Sequence, residues 1–198
     1  MRPVHPFPAR MAPDLALERL ALLPLGSRVL DPMVGSGTVL RQAISLGHSA
    51  IGFDLDPLAV LMARVWTTPV RDGAIEKSAR EIVATARNLE PTMVHLPWID
   101  DDAETAASIQ YWFGPQQIAD LRRIAFALHR SADETGGNDT IINVLRLALS
   151  RIIVTKEQSA SLARDTSHSP PPPTRRSRIA ISRCFTPSKN RYACFANA

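Results

Sequence analysis

Residues 29–57 read VLDPMVGSGTVLRQAISLGHSAIGFDLDP, and this string constrains the fold more than any other part of the chain. Arg28-Val29-Leu30-Asp31 reads as a short buried strand. The loop Pro32 to Gly37 follows, and the pattern predicts a helix from Thr38 to Leu46, stopped by Gly47. Ala50-Ile51-Gly52-Phe53-Asp54 reads as a second strand. Asp56 then supplies an N-cap and Pro57 the first position of another helix. A strand–helix–strand–helix order is the opening of a parallel α/β sheet.

The remainder does not continue that order. Residues 14–23, DLALERLALL, carry leucine and alanine on a helical period, with Pro13 as a starting residue. Residues 73–90, 103–112, 115–130 and 139–155 all read as helices, and no third strand is found. From about Ser167 the chain is rich in proline, serine and arginine without periodicity, a composition expected to be disordered. The expected fold class is therefore α/β with an incomplete sheet and a helix-rich C-terminal half. Its expected divisions are a cofactor-type unit at 1–72, a helical region at 73–166 and a tail at 167–198. Two parallel strands alone make a poor sheet with unpaired edges. Marginal stability, or a second chain completing the sheet, is the expectation.

Composition excludes several classes. No apolar run follows MRPVHPFPAR, and Asn143, Arg146 and Arg151 interrupt Ile141–Val154, so neither an export signal nor a membrane span is expected. A soluble, cytoplasmic protein is the expectation. Cys184 and Cys194 lie far from any histidine pair and read as free thiols, with no zinc site or disulfide framework. Of the net charge of +4, the segment from Arg164 onward carries +6 and residues 1–163 carry −2. Such a tail attracts a phosphate backbone; a solvated arm without a partner has the same composition.

The loop carries the chemistry. A loop leaving the C-terminal end of the first strand lies where sheets of this kind bind ligands. Gly35 and Gly37 admit close approach to the backbone, and free N–H groups at the start of the next helix offer a polar cradle. Asp31 can meet a cationic amine, and Asp54, at the end of the second strand, can accept both hydroxyls of a ribose. The third position of a G-x-G-x-x-G dinucleotide motif is Leu40, where a small residue is required. No Gly-Lys-Ser/Thr of a phosphate-binding loop exists in the chain. A ligand with a ribose, a positive charge and no phosphates fits best, and S-adenosylmethionine is such a ligand.

With these residues in place, DPMVGSGT resembles the cofactor signature of the DNA methylases that modify exocyclic amino groups of adenine or cytosine, with Met33 at a position usually held by phenylalanine. GFDLDPLAVLMA resembles the second cofactor motif of that family. HPFPARMAP (5–13) is similar to its N-terminal segment, and YWFGPQQIADLRRI (111–124) and ALSRIIVTKEQSASLARDTSHS (148–169) to the helical region of one branch. The resemblance spans roughly residues 4–169. It implies a Rossmann-like methyltransferase fold, S-adenosylmethionine as cofactor, and DNA as partner. Asp31, Pro32, Gly35, Ser36, Gly37, Thr38 and Asp54 would hold the cofactor. Transfer-RNA guanine methyltransferases have a similar cofactor motif, which leaves RNA as the alternative acceptor.

The family's catalytic motif is Asp/Asn/Ser-Pro-Pro-aromatic, whose polar groups accept hydrogen bonds from the target amine while the ring stacks on the extruded base. Ser169-Pro170-Pro171 matches three letters, but Pro172 offers no ring. No catalytic residue is assigned, and a non-catalytic cofactor-binding remnant is the third reading. The change into PPPPTRRSRIAISRCF is what a frameshift or gene truncation would leave.

Other residues read more plainly. Asp100-Asp101-Asp102 with Glu104 lacks the spacing and glycine of a calcium loop and is expected to be a solvated helix cap, so no metal site is expected. Tyr111-Trp112-Phe113 is expected to pack in a core or between domains. His5 falls in a motif, whereas His48, His95, His129 and His168 are expected to be structural or superficial. Arg64, Arg71, Arg122 and Arg123 read as helix-surface arginines without partners.

Overall fold

Proline and acidic side chains set most of the helix starts. The computed structural model describes residues 12–136 and 139–153. The chain divides into two compact units, the first ending at Arg71 and the second beginning at Asp72.

In the first unit, Pro13 opens α1 (Pro13–Leu20), followed by β1 (Arg28–Asp31), α2 (Thr38–Ser45), β2 (Ser49–Gly52) and α3 (Pro57–Thr67). Helix α1 stops three residues earlier than its leucine periodicity predicts, because Leu22 and Leu23 meet solvent ahead of the turn at Pro24. The second strand begins at Ser49 and ends at Gly52, so Phe53 and Asp54 belong to the loop after it. The strands are parallel, with Val29 opposite Ala50 and Asp31 opposite Gly52. Alternation along a strand sends successive side chains to opposite faces. Val29 and Ala50 pack on Ala16, Leu20 and Ala43, the small core shared with α1 and α2. Leu30 and Ile51 point the other way and are 63% and 51% exposed.

Two further contacts tie this unit together. The guanidinium of Arg41 lies 4.8 Å from the centre of the Trp66 ring, joining α2 to α3. His48 is buried beside the end of α1, its Nε2 3.2 Å from the carbonyl oxygen of Leu20. As expected, Asp56 caps α3 by accepting from the Leu58 N–H, with Pro57 at the first helical position.

The second unit holds α4 (Asp72–Asn88), a 3-10 turn (Pro91–Met93), α5 (Pro97–Asp100), α6 (Ala103–Trp112), α7 (Pro115–Glu134) and α8 (Thr140–Ile153). Helix α4 packs on α7 and α8. Its buried face repeats at helical spacing through Ile75, Ala79, Ile82 and Ala86. Opposite it lie Ile124, Ala127 and Leu128 of α7 and Leu145 and Leu147 of α8, all closed to solvent. The turn at Pro91 and the helix α5 were not predicted. Both begin at a proline, and neither is long enough to show a period.

The described residues thus form a helix-rich α/β chain with a two-stranded parallel sheet. Among them no helix is long and apolar enough to cross a membrane, and no group of three His, Cys, Asp or Glu side chains is placed to hold a metal ion. The motif residues before Ala12, the basic tail, both cysteines and the Ser169–Pro172 run lie outside the described residues.

Candidate functional site

The loop between β1 and α2 is folded mainly by its own polar groups. Asp31, ending β1, accepts from the Met33 N–H at 3.1 Å through Oδ1. The Val34 N–H donates to the Phe53 carbonyl at 2.9 Å, and the Phe53 N–H to the Asp31 carbonyl at 3.0 Å, so the loop and the end of β2 are stitched together. The Gly37 N–H closes a turn onto the Val34 carbonyl at 2.8 Å. Gly37 sits at φ +83°, and a Cβ there would stand 2.9 Å from the Cα of Ala63 in α3. Only glycine satisfies both demands. Gly52 is constrained differently: a Cβ would lie 2.6 Å from Cγ2 of Val34, so the loop packs directly on the strand's backbone.

Asp54 joins the two halves of the site. Its Oδ2 accepts from the Gly35 N–H at 2.8 Å and its Oδ1 from the Asp56 N–H at 2.9 Å. The Asp56 bond first, then that from Gly35, holds the carboxyl below its ordinary range. The side chain is therefore ionised at neutral pH, and each oxygen keeps a lone pair for a further donor.

The loop before α2 keeps few free N–H groups of its own. Those of Met33, Val34, Gly35 and Gly37 are spent within the protein. Among the described residues the N–H groups of Ser36 and Thr38 make no hydrogen bond. Ser36 is buried at 6% exposure, and its Oγ has no partner. A buried hydroxyl without a partner is rare and calls for a ligand or water. Thr38, buried at the first position of α2, lies next to it; Pro32 is exposed at the mouth of the loop. Six of the seven residues singled out in the sequence fall on one run from the end of β1 through the glycine loop to the start of α2, and Asp54, in the loop after β2, is tied to it through the Gly35 N–H.

The second unit corrects the reading of its charged residues. Arg122 and Arg123 are not free surface groups. Arg122 donates to Asp100 at 2.8 Å and to the Val94 carbonyl at 3.1 Å, and Arg123 donates to the Leu89 carbonyl at 3.0 Å. Asp100 in turn accepts from the Leu96 N–H at 2.7 Å, so it is a structural bridge rather than a solvated cap. The Arg122 hydrogen bond, reinforced by the Leu96 N–H, lowers its carboxyl to about 2. Asp102 does cap α6, accepting from the Glu104 N–H and the Thr105 hydroxyl. Tyr111 is 62% exposed and meets Trp112 edge to face, so the aromatic run is only partly packed. No signal short of the fold could have paired Arg122 with Asp100, which lie 22 residues apart.

The chain is similar to two methyltransferases. It is 27% identical over 124 residues to the Type II methyltransferase M.MvaI of Kocuria varians, a match covering 61% of this chain and 27% of that protein. It is 35% identical over 63 residues to the Type II methyltransferase M.MjaII of Methanocaldococcus jannaschii, covering 31% of this chain and 12% of the relative. The chain therefore spans only about a quarter or less of the length of these relatives. No known family profile matches it, and no solved structure matches it. Over the matched stretches the chain is similar to these two Type II methyltransferases.

Proposed function

We propose that this chain is the cofactor-binding portion of an S-adenosylmethionine-dependent methyltransferase with a Rossmann-like fold, acting on exocyclic amino groups of adenine or cytosine in DNA. Asp31, Pro32, Gly35, Ser36, Gly37, Thr38 and Asp54 are its cofactor residues. The observation that carries this reading is the pairing of an ionised Asp54, clamped to the Gly35 N–H, with the partnerless buried Oγ of Ser36 in the same loop. When bound, S-adenosylmethionine supplies a methyl group activated by a sulfonium.

The residues fit that group chemically. The spare lone pairs of Asp54 suit vicinal hydroxyls, and Asp31 supplies negative charge toward a cationic ligand. The Ser36 hydroxyl and the N–H groups of Ser36 and Thr38 suit a polar edge without phosphate charge. Asp54 also organises the loop before any ligand arrives, since its carboxylate fixes Gly35 and Asp56 together. A second reading, a cofactor-binding piece that does not transfer the methyl group alone, has one feature in its favour. The sequence contains no Asp/Asn/Ser-Pro-Pro-aromatic tetrapeptide. Another chain contributing that motif and further strands belongs to this second reading.

Calorimetric titration with S-adenosylmethionine tests the proposal through Ser36→Ala. Removing a buried hydroxyl that has no partner leaves the unliganded chain as stable or slightly more so. The same change removes a ligand contact, and about fivefold weaker binding is expected from the loss of roughly 1 kcal/mol. Binding unaltered in Ser36→Ala and in Asp54→Ala, or no binding by the folded parent, would overturn the assignment. Methyl transfer to duplex DNA by the cofactor-loaded chain then separates the two readings.

A further inference from the structure

The second unit carries a cavity of about 240 Å³ that the cofactor loop does not use, lined by residues of α5, α7 and α8. Its wall includes Trp98, Leu128, His129, Arg146 and Ser150. Trp98 and His129 meet edge to face with ring centres 4.9 Å apart, and Trp98 remains 50% exposed. Leu128 forms an apolar floor, closed to solvent at 2% exposure. Arg146 is half-buried, and among the described residues it makes no ion pair or hydrogen bond. Its treatment differs from that of the neighbouring basic residues, for Arg122, Arg123 and Arg130 all engage carboxylates.

A guanidinium at the cavity wall with no carboxylate on it is available to a ligand that brings an anion. An exposed indole beside it offers a flat apolar surface for a ring. The volume lies just below the range of ordinary small-molecule clefts, which suits one ring rather than an extended ligand. A planar ring joined to an anion describes a nucleotide.

We infer that this cavity holds a single nucleotide of a nucleic-acid strand, with its base against Trp98 and its phosphate on Arg146. The choice of a nucleotide over other aromatic anions rests on the proposed function. The hydroxyl of Ser150 donates to the Leu147 carbonyl at 2.8 Å, so its oxygen remains an acceptor for a base N–H. The contact is insensitive to base identity in its stacking component, because every base has a π-face.

The test is titration of the full chain with a short single-stranded oligothymidylate, followed by tryptophan fluorescence in the absence of S-adenosylmethionine. The oligonucleotide is read without the cofactor, so this inference and the cofactor assignment fail separately. Saturable quenching is expected. Trp98→Leu should abolish most of the quenching and weaken binding about 5- to 150-fold, the range of a lost base–aromatic stack. Arg146→Gln should weaken binding and lower the salt dependence by about 0.7 in the log–log slope, one phosphate contact on a single strand. Circular dichroism of both variants checks the fold, and if Trp98→Leu does not fold, the salt slope of Arg146→Gln decides alone. The inference is overturned if the folded parent shows no saturable binding. It is equally overturned if the salt slope is unchanged in Arg146→Gln, or if an aromatic carboxylate such as indole-acetate competes as tightly as the oligonucleotide.

Discussion

The two units solve the problem of burial to different degrees. In the helical unit, α4, α7 and α8 enclose Ile82, Ile124, Leu145 and Leu147, and among its described residues only Met93, Trp98 and Tyr111 are large apolar side chains left in solvent. In the unit with the glycine loop, Ala16, Ala43, Ala59 and Ala63 make up half of the buried apolar side chains among the described residues, while Leu25, Leu30, Met33, Ile51, Phe53 and Leu55 are exposed. Alanine buries little area, and hydrophobic stabilisation scales with the area removed from water. The described part of the unit that carries the candidate chemistry thus buries smaller side chains, and its loop is tied by hydrogen bonds at Asp54 and Phe53. Loops that bind ligands are commonly drawn from the less stable parts of a protein.

The largest effect should come from the better-built unit. Leu145 is fully buried on α8, and Leu145→Ala is expected to lower stability by about 2–5 kcal/mol in urea unfolding. A loss below about 1 kcal/mol would mean that the helical core collapses readily around the void, and the contrast between the units would weaken. Gly37→Ala comes next. It forces a side chain into a left-handed conformation against the backbone of Ala63, with strain of about 1–3 kcal/mol. Hydrogen exchange should report the damage at α2 and α3 while the amides of α7 keep their protection. Loss of protection in both units together would show that they unfold as one.

How much of this was legible in the sequence follows from the same contrast. In the first unit the decisive interactions are local. The bounds of β1, the cap at Asp56 and the start of α2 were read correctly, because each is announced by residues next to it. Asp54 was read as a ligand residue, but its clamp on Gly35 spans 19 residues and appears only when the strands pair. The same pairing uses the N–H groups of Val34 and Gly35, which the sequence did not show. In the second unit the helices α4, α6, α7 and α8 were legible from period and proline. The segment from Leu89 to Asp101 was not, since it is held by Arg122 and Arg123 from α7 through carbonyls and one carboxylate. An arginine that stabilises a loop from a distant helix looks, in sequence, like any surface arginine.

That bridge gives a smaller, pH-dependent effect. The folded carboxyl of Asp100 titrates at about 2, below its ordinary value of 3.8. A lowered folded value means that stabilisation is full above the unfolded value and is lost as pH falls from there through the folded one. The parent should therefore lose stability between about pH 4 and pH 2 more steeply than Asp100→Asn. At pH 7 the variant should be weaker by about 1.5–3 kcal/mol, the range for a hydrogen bond to a charged group. Parallel pH profiles for parent and variant would remove Asp100 as the tie between α5 and α7.

The smallest effect on stability should come from the open face of the sheet. Leu30 and Ile51 are neighbours on adjacent strands, and both project away from α1 and α2. Surface replacements generally change stability by no more than about 0.5 kcal/mol, so Leu30→Ser combined with Ile51→Thr should unfold at nearly the parent urea concentration. Contiguous exposed apolar groups also promote association and bind hydrophobic dyes. The double variant should therefore bind less 8-anilinonaphthalene-1-sulfonate and sediment more nearly as a monomer. If it instead loses several kcal/mol, the face is covered in solution, and the first unit has a core as complete as that of the second. If stability holds and dye binding falls, the sheet that presents the glycine loop is open on one side, and its hydrogen-bonded loop persists without a second covering layer.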